Sequence, residues 1–385
     1  MNFISEFIEV LEKRRGEFES LLSGGMELGE IEVSLGNHLQ HHWHENPVPE
    51  TIYEREFSVD SSSASRTLAN GIDLFIVRAL MIGSNGAEHK QLKFEMLKGI
   101  RDPTTASTLE RVLRDLIEIE IVVDNCEELD NSLVMIDGNL YGRFTHLLKQ
   151  LYLKGWEALP LHLLEAMQKL FDLCTERNIT LIGVSKFSKT RVLCLAMLTE
   201  LGIPVTDPDY LDVELLYRWR HGQVGYTTPL LLGEYAFMNE VRAMHDEPES
   251  YRKRYFGNIP RKLHDWGTEI IERVPQAPAI VMFHLIPSKY EQPLRIDVPA
   301  NCLGLRDKIM DVSPYRFLKP GVVQPVVQQL VEDWGGMDVY NALLYVVDRK
   351  VRLGREVVDS AYRSVLGREF DMSIMYDRNT RRFYS

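Results

Sequence analysis

Cysteine is scarce in this chain: four residues in 385, Cys126, Cys174, Cys194 and Cys302, widely scattered and with no CxxC pair. That spacing excludes a disulfide scaffold and a structural zinc knuckle and points to reduced thiols. No run of residues is long and apolar enough to span a bilayer. The N-terminus, MNFISEFIEVLEKRRGEFESLL, interleaves charge with apolar residues, which reads as an amphipathic helix and not as a signal peptide. A soluble, cytoplasmic protein is expected. Positive charge is also short: the formal net charge is -12, the wrong sign for coating nucleic acid, so any such binding needs a local basic groove. There is no internal repeat and no low-complexity tract.

What is present is ordinary globular material. The chain is 45% apolar and 26% charged, enough to build a substantial core in one large domain or two modest ones. Phe3 to Leu22 has helical spacing and stops at Gly24-Gly25. His38 to Pro49, rich in His and Pro, links this arm to the core, so residues 1–48 are assigned as a helical arm and linker. EREFSVDSSS, DLFIVRALMIG and KQLKFEML read as three strands of an antiparallel meander. A helix from Pro103 to Glu120 and a short strand from Ser132 to Ile136 follow. Leu159 to Arg177, ITLIGVSK and Arg191 to Leu201 then alternate helix, strand, helix, which favours a partly parallel sheet. AIVMFHLIP and PLRIDVP form a later strand pair. The core is assigned to 49–310 with an insertion around 207–265, and 311–385 to a mainly helical region with a short basic tail. The fold expected is α/β, a mixed RNase H-like sheet with flanking helices.

Two acidic residues each end an apolar strand: Asp60 in FSVDSSS and Asp137 in VMIDGNL. Carboxylates on adjacent strands suit a two-metal phosphodiesterase, in which Mg²⁺ or Mn²⁺ ions sit roughly 3.5–4 Å apart. The competing reading makes both of them turn residues, Asp60 with its serines and Asp137 with Gly138. A third ligand would come from RVLRDLIEIEIV, where Glu118 and Glu120 cannot share one helix face and Glu118 is the candidate. Lys186 in GVSKFSKTR suits a phosphate contact, or is a solvated loop lysine. The same segment lacks the second glycine of a Walker A motif. YRKRYFGNIPRK interleaves rings with cations. Arg252, Lys253, Arg254, Tyr255, Arg261 and Lys262 there suit single-stranded nucleic acid, or a solvated face. His284 in VMFHL is a candidate metal ligand or a buried structural histidine. His38, His41, His42 and His44 match no helical zinc spacing and read as a linker that binds metal adventitiously.

The order of these motifs resembles the NurA nucleases. SVDSSSASRTLANG resembles their first strand, Arg114 and Glu118 their helical Arg-x-x-x-Glu element, and Asp137-Gly138-Asn139-Leu140 their Asp-Gly-x-Leu strand. Gly183 to Lys186 and PLRIDVP match later strands, so the resemblance covers Tyr53 to Pro299. It implies a homodimeric, Mn²⁺-dependent DNA nuclease, of exonuclease and single-strand endonuclease type. Such a nuclease works with a hexameric HerA-type translocase in DNA end processing, whether in repair or in antiviral defence. Asp60, Glu118 and Asp137 would be its metal ligands. The family's C-terminal Tyr and His fall on Val322 and Leu330 when GVVQPVVQQL is taken as the matching element, and neither can ligate metal. That departure admits a weakened subunit that mainly docks on the translocase. Activity on RNA or branched DNA is the other alternative.

Overall fold

The computed structural model describes residues 3–22, 30–100, 102–148, 150–204, 211–219, 222–234, 240–289, 291–336, 339–354, 356–371 and 373–376. The Gly24-Gly25 stop and the basic tail from 377 onward lie outside the described residues. In chain order the elements begin with α1 (Phe3–Lys13), α2 (Arg15–Leu22), α3 (Glu30–Leu39) and β1 (Trp43–His44). The meander is β2 (Glu56–Thr67), β3 (Ile72–Gly83) and β4 (Glu88–Lys98). Next come α4 (Pro103–Asp124), β5 (Leu133–Asp137), α5 (Leu159–Glu176), β6 (Thr180–Ser185), α6 (Val192–Glu200) and α7 (Asp212–Trp219). Then follow β7 (Gly225–Thr227), β8 (Leu230–Leu232), α8 (Val241–Asp246), α9 (Pro248–Phe256), α10 (His264–Arg273), β9 (Ile280–Ile286) and β10 (Leu294–Pro299). The chain closes with β11 (Tyr315–Phe317), α11 (Gln324–Glu332), α12 (Ala342–Val351) and α13 (Arg363–Glu369).

All eleven strands join one mixed sheet in the order β1-β7-β9-β10-β6-β5-β2-β3-β4, with β8 on β9 and β11 on β8. The meander β2-β3-β4 is antiparallel, while β5 and β6 run parallel to β2. That strand order is the RNase H-like arrangement expected from the sequence. The stretch expected as an insertion instead supplies β7 and β8 to the sheet. The arm likewise reaches the sheet, because Trp43 and His44 pair with Thr227 and Tyr226. The C-terminal region adds β11 alongside β8.

The central strands are apolar on both faces, as strands covered on two sides must be. In β5, Val134 and Ile136 belong to a core with α4 and α5, while Leu133 and Met135 belong to a second core with α11 and α12. α4 is started by Asp102, whose side chain accepts from the Thr104 amide at 3.0 Å, with Pro103 in the first turn. Its stripe Leu109, Leu113, Leu116 and Ile117 then buries against the sheet. α12 is capped by Asn341, which accepts from the Leu344 amide at 3.0 Å, and packs across β2 and β3.

Where β6 passes the end of β5, two backbones approach closely. A Cβ at Gly183 would lie 2.6 Å from the carbonyl oxygen of Gly138, itself at φ +105°. Gly183→Ala is therefore expected to cost about 1–3 kcal/mol through overpacking, and to displace the turn that carries Asp137. A denaturant midpoint equal to that of the unaltered protein would show the approach to be looser than this.

Candidate active site

The parallel register of β2 on β5 pairs Val59 with Ile136, so the next residues, Asp60 and Asp137, emerge side by side. Strand residues alternate faces. Asp60 lies opposite Leu80, and Asp137 is two residues beyond Met135; Leu80 and Met135 both belong to the core shared with α12. Both carboxylates accordingly face α12. A cavity of about 250 Å³ there is lined by Asp60, Asp137, Ser62, Arg114 and Asp348 of α12. Asp60 is nearly buried. Burial, then the neighbouring charges of Glu118 and Asp137, push its carboxyl up to about 8, against which the Ser61 amide bond at 2.7 Å works only partly.

Glu118 comes from α4, buried, with both oxygens engaged. One accepts from the Ser61 hydroxyl and the other from Arg143. Arg143 also pairs with Asp115 at 3.4 Å, and His146 contacts the same Asp115 at 2.9 Å. Arg114 donates to the Ser61 hydroxyl at 3.1 Å and to its carbonyl at 3.0 Å. A buried guanidinium and a hydroxyl thus place Glu118 close enough to act on Asp60 electrostatically.

Lys186, just beyond β6, lies 3.3 Å from Asp137 Oδ2, and its ammonium sits 4.2 Å from the ring centre of Tyr340. The Tyr340 hydroxyl is enclosed and has no protein partner. Burial, then Asp137 and Asp60, raise its phenol well above the ordinary range, so it stays protonated. Tyr340 and Asp348 are eight residues apart, the separation of Val322 and Leu330, but it is this pair that borders the acidic cluster. Leu330 is buried among the apolar residues of the α11/α12 core, and Val322 is half-buried in the turn before α11. Neither Val322 nor Leu330 lines the acidic cavity, whereas Asp348 does.

His284 is fully enclosed in β9, 4.0 Å from the buried Asp212, and lines neither cavity described here. Burial and the adjacent Arg295 hold its imidazole down at about 3. The YRKRYFGNIPRK cations are also elsewhere. Arg252 is buried and donates to Thr268 at 3.1 Å, Lys253 pairs with Glu249 at 2.8 Å, and Arg254 and Tyr255 both contact Glu240. Arg261 and Lys262 are exposed in a turn before α10. A second cavity, of about 1050 Å³, shares Asp137 and Arg114 with the first. Its cations are Arg111, Arg114, Arg143, Lys186, Lys189, Arg191 and Arg295. Of these, the sequence analysis singles out only Arg114 and Lys186; Arg111, Lys189 and Arg191 are their near neighbours along the chain, but nothing local shows that the two segments converge on one cavity. Phe187, 73% exposed and at φ +55°, stands on the rim.

The fold and site define a mixed α/β protein that carries one carboxylate inside β2 (Asp60, expected to end its strand) and one at the end of the adjacent parallel strand β5 (Asp137), beside a basic cavity. The NurA domain model matches residues 55–314, and the chain belongs to the NurA family. The structure is similar to the NurA nuclease from Sulfolobus solfataricus, with 13% identity, TM-score 0.61, and coverage of 95% of this chain and 97% of that one. It is also similar to a NurA bound to dAMP and manganese, with 13% identity, TM-score 0.54, and coverage of 92% and 97%. No curated protein sequence matches the chain. Among the described residues, no helix is long and apolar enough to cross a membrane.

The raised Asp60 carboxyl has a direct consequence for stability. Between about pH 4, where an unfolded Asp ionises, and about pH 8 the folded protein binds the extra proton, so metal-free stability falls as pH rises through that window. In chelator, Asp60→Asn is expected to be more stable than the unaltered protein at pH 8, by on the order of a few kcal/mol, with the advantage vanishing near pH 4. Thermal melts across that range check this; a pH-independent difference would disprove the shift.

Proposed function

We propose that this chain is a divalent-cation-dependent nuclease that hydrolyses phosphodiester bonds in DNA. The observation that carries the reading is the convergence of Asp60, Asp137 and Asp348 on one small cavity, with Asp60 pushed up to about 8 by burial first and then by the charges of Glu118 and Asp137. All-oxygen donors of this kind fit Mg²⁺ or Mn²⁺. Asp60 and Asp137 would hold the ions, two per site, with Asp348 from α12 and Glu118 from α4 completing the set. When bound, such ions supply an activated water and stabilise the leaving oxygen.

The protein's own groups do the rest. Lys186 and Arg114 neutralise the scissile phosphate, and the enclosed Tyr340 hydroxyl donates to one of its oxygens. The cations of the larger cavity lead the strand inward, and Phe187 offers a face on which a base stacks. The cavity, and not Arg252 to Lys262, is the path for nucleic acid. Tyr340 and Asp348 at the site support activity over the weakened-subunit reading, while the histidine expected from the resemblance has no counterpart at Leu330 or Asp348. Family membership extends the proposal to DNA end processing as a homodimer with a HerA-type hexameric translocase, which would supply the DNA movement.

Degradation of labelled linear DNA with Mn²⁺, Mg²⁺ or EDTA tests this, alone and with a HerA-type partner. Asp60→Ala and Asp137→Ala are each expected to lower cleavage about 1000-fold or more, since bound metal supplies several kcal/mol of transition-state stabilisation. Tyr340→Phe should lose about ten- to a hundredfold, the worth of one hydrogen bond to a charged group. Phe187→Ala should weaken single-strand binding with little change on duplex. Metal-independent cleavage, or cleavage of RNA in preference to DNA, would reject the assignment.

A further inference from the structure

A second group of ligating side chains lies well away from the acidic cluster in composition and position. His38, in the last turn of α3, places Nε2 2.9 Å from Oε2 of Glu200; His42 places its Nε2 2.8 Å from the same oxygen. The sequence reading gave this histidine cluster no helical metal spacing. The structure shows why that was incomplete: a helical turn continues through Gln40–His42, so His38 and His42, four residues apart, fall on one side of it. Their ring centres are 5.0 Å apart.

We propose that His38, His42 and Glu200 form a binding site for one transition-metal ion of the zinc class, fastening α3 to the end of α6. Two imidazole nitrogens and one carboxylate oxygen, all within 4.8 Å of one another, are borderline ligands that favour Zn²⁺, Co²⁺ or Ni²⁺ over Mg²⁺. The His42 ring is fixed in place. It stacks on Phe317 with centres 4.2 Å apart, and its backbone carbonyl accepts from the Thr228 amide at 2.8 Å. Glu200 is the last residue of α6, where the helix dipole disfavours an anion and a bound cation offsets it. The fourth position is left to water. Nδ1 of His42 is enclosed without a partner, so the site lacks an outer hydrogen bond, and affinity about 10–100-fold below that of a fully supported site is expected.

The location gives the ion a purpose. α6 begins at Val192, directly after Lys189 and Arg191 of the basic cavity. An ion at the far end of that helix anchors the wall of the cavity to the arm.

Titration of the full chain with Co²⁺ in excess Mg²⁺, which oxygen-only sites prefer, reads the proposal out. One equivalent of Co²⁺ should give the visible absorption of a low-coordinate nitrogen-bound ion, displaced by Zn²⁺, and Zn²⁺ should raise the melting temperature. His38→Gln and Glu200→Gln, both at accessible positions, should each weaken uptake at least tenfold and abolish the thermal shift; His42→Ala is a third arm. Absence of the spectrum in the unaltered protein would overturn the site. So would equal uptake in both variants, which would mean loose binding to surface histidines and leave the cluster as a hydrogen-bonded clasp.

Discussion

The pairing of β2 with β5 is the constraint from which the site follows. Because the two strands run parallel, with Val59 against Ile136, two carboxylates leave the sheet at the same level on the same face. The pairing is secured by burial on both faces: Phe57 and Val59 in β2, Val134 and Ile136 in β5, against α4 and α5. Leu133 and Met135 lie against α11 and α12. A one-residue slip would turn every one of these side chains to the wrong face and carry Asp60 away from Asp137. The apolar core therefore determines the electrostatics of the site as well as the stability of the sheet.

Placing like charges together in a low-dielectric setting is unfavourable, and the neighbouring polar groups show how the fold accommodates it. Arg143 is buried between Asp115 and Glu118. Ser61, the residue next to Asp60, accepts from Arg114 while donating to Glu118. These contacts neutralise the α4 side of the cluster, and on the α12 side Asp60, Asp137 and Asp348 gather with Lys186, Arg114 and Arg352 as the cations beside them. Burial first, and then the charges of Glu118 and Asp137, push the Asp60 carboxyl up to about 8.

Much of this was legible along the chain. The meander, the junction of β5 with Asp137, the α4 helix with Glu118 and the α/β alternation all rest on local periodicity and turn chemistry, which a sequence displays directly, whereas Asp60, expected to end a strand, lies inside the longer β2. Strand neighbours far apart in sequence are a different matter. Nothing local in Gly225–Thr227 or Leu230–Leu232 reveals that these three-residue strands complete a sheet, since their pairing partner β9 begins about fifty residues later. Tyr340 escaped notice for the same reason: its role depends on α12 crossing β2, a packing event with no signature in the residues around it. The stretch YRKRYFGNIPRK misled in the opposite way. Its composition suits nucleic acid, but α9 turns Arg252 inward to Thr268 and Glu249 and Glu240 take up Lys253 and Arg254.

The net charge of -12 and a nucleic-acid substrate are reconciled by the same geometry. Bulk repulsion between polyanions is screened beyond about 8–10 Å at physiological salt, whereas cations lining a concave wall act at contact distance and in a lower dielectric. Arg111, Arg114, Lys186 and Lys189 converge on one cavity although they come from α4 and from the loop after β6. A repulsive exterior with one attractive cavity favours entry by a strand end over lateral coating of a duplex. The proposed path for a nucleic-acid strand thus arises from where the sheet places a handful of cations, not from their total number.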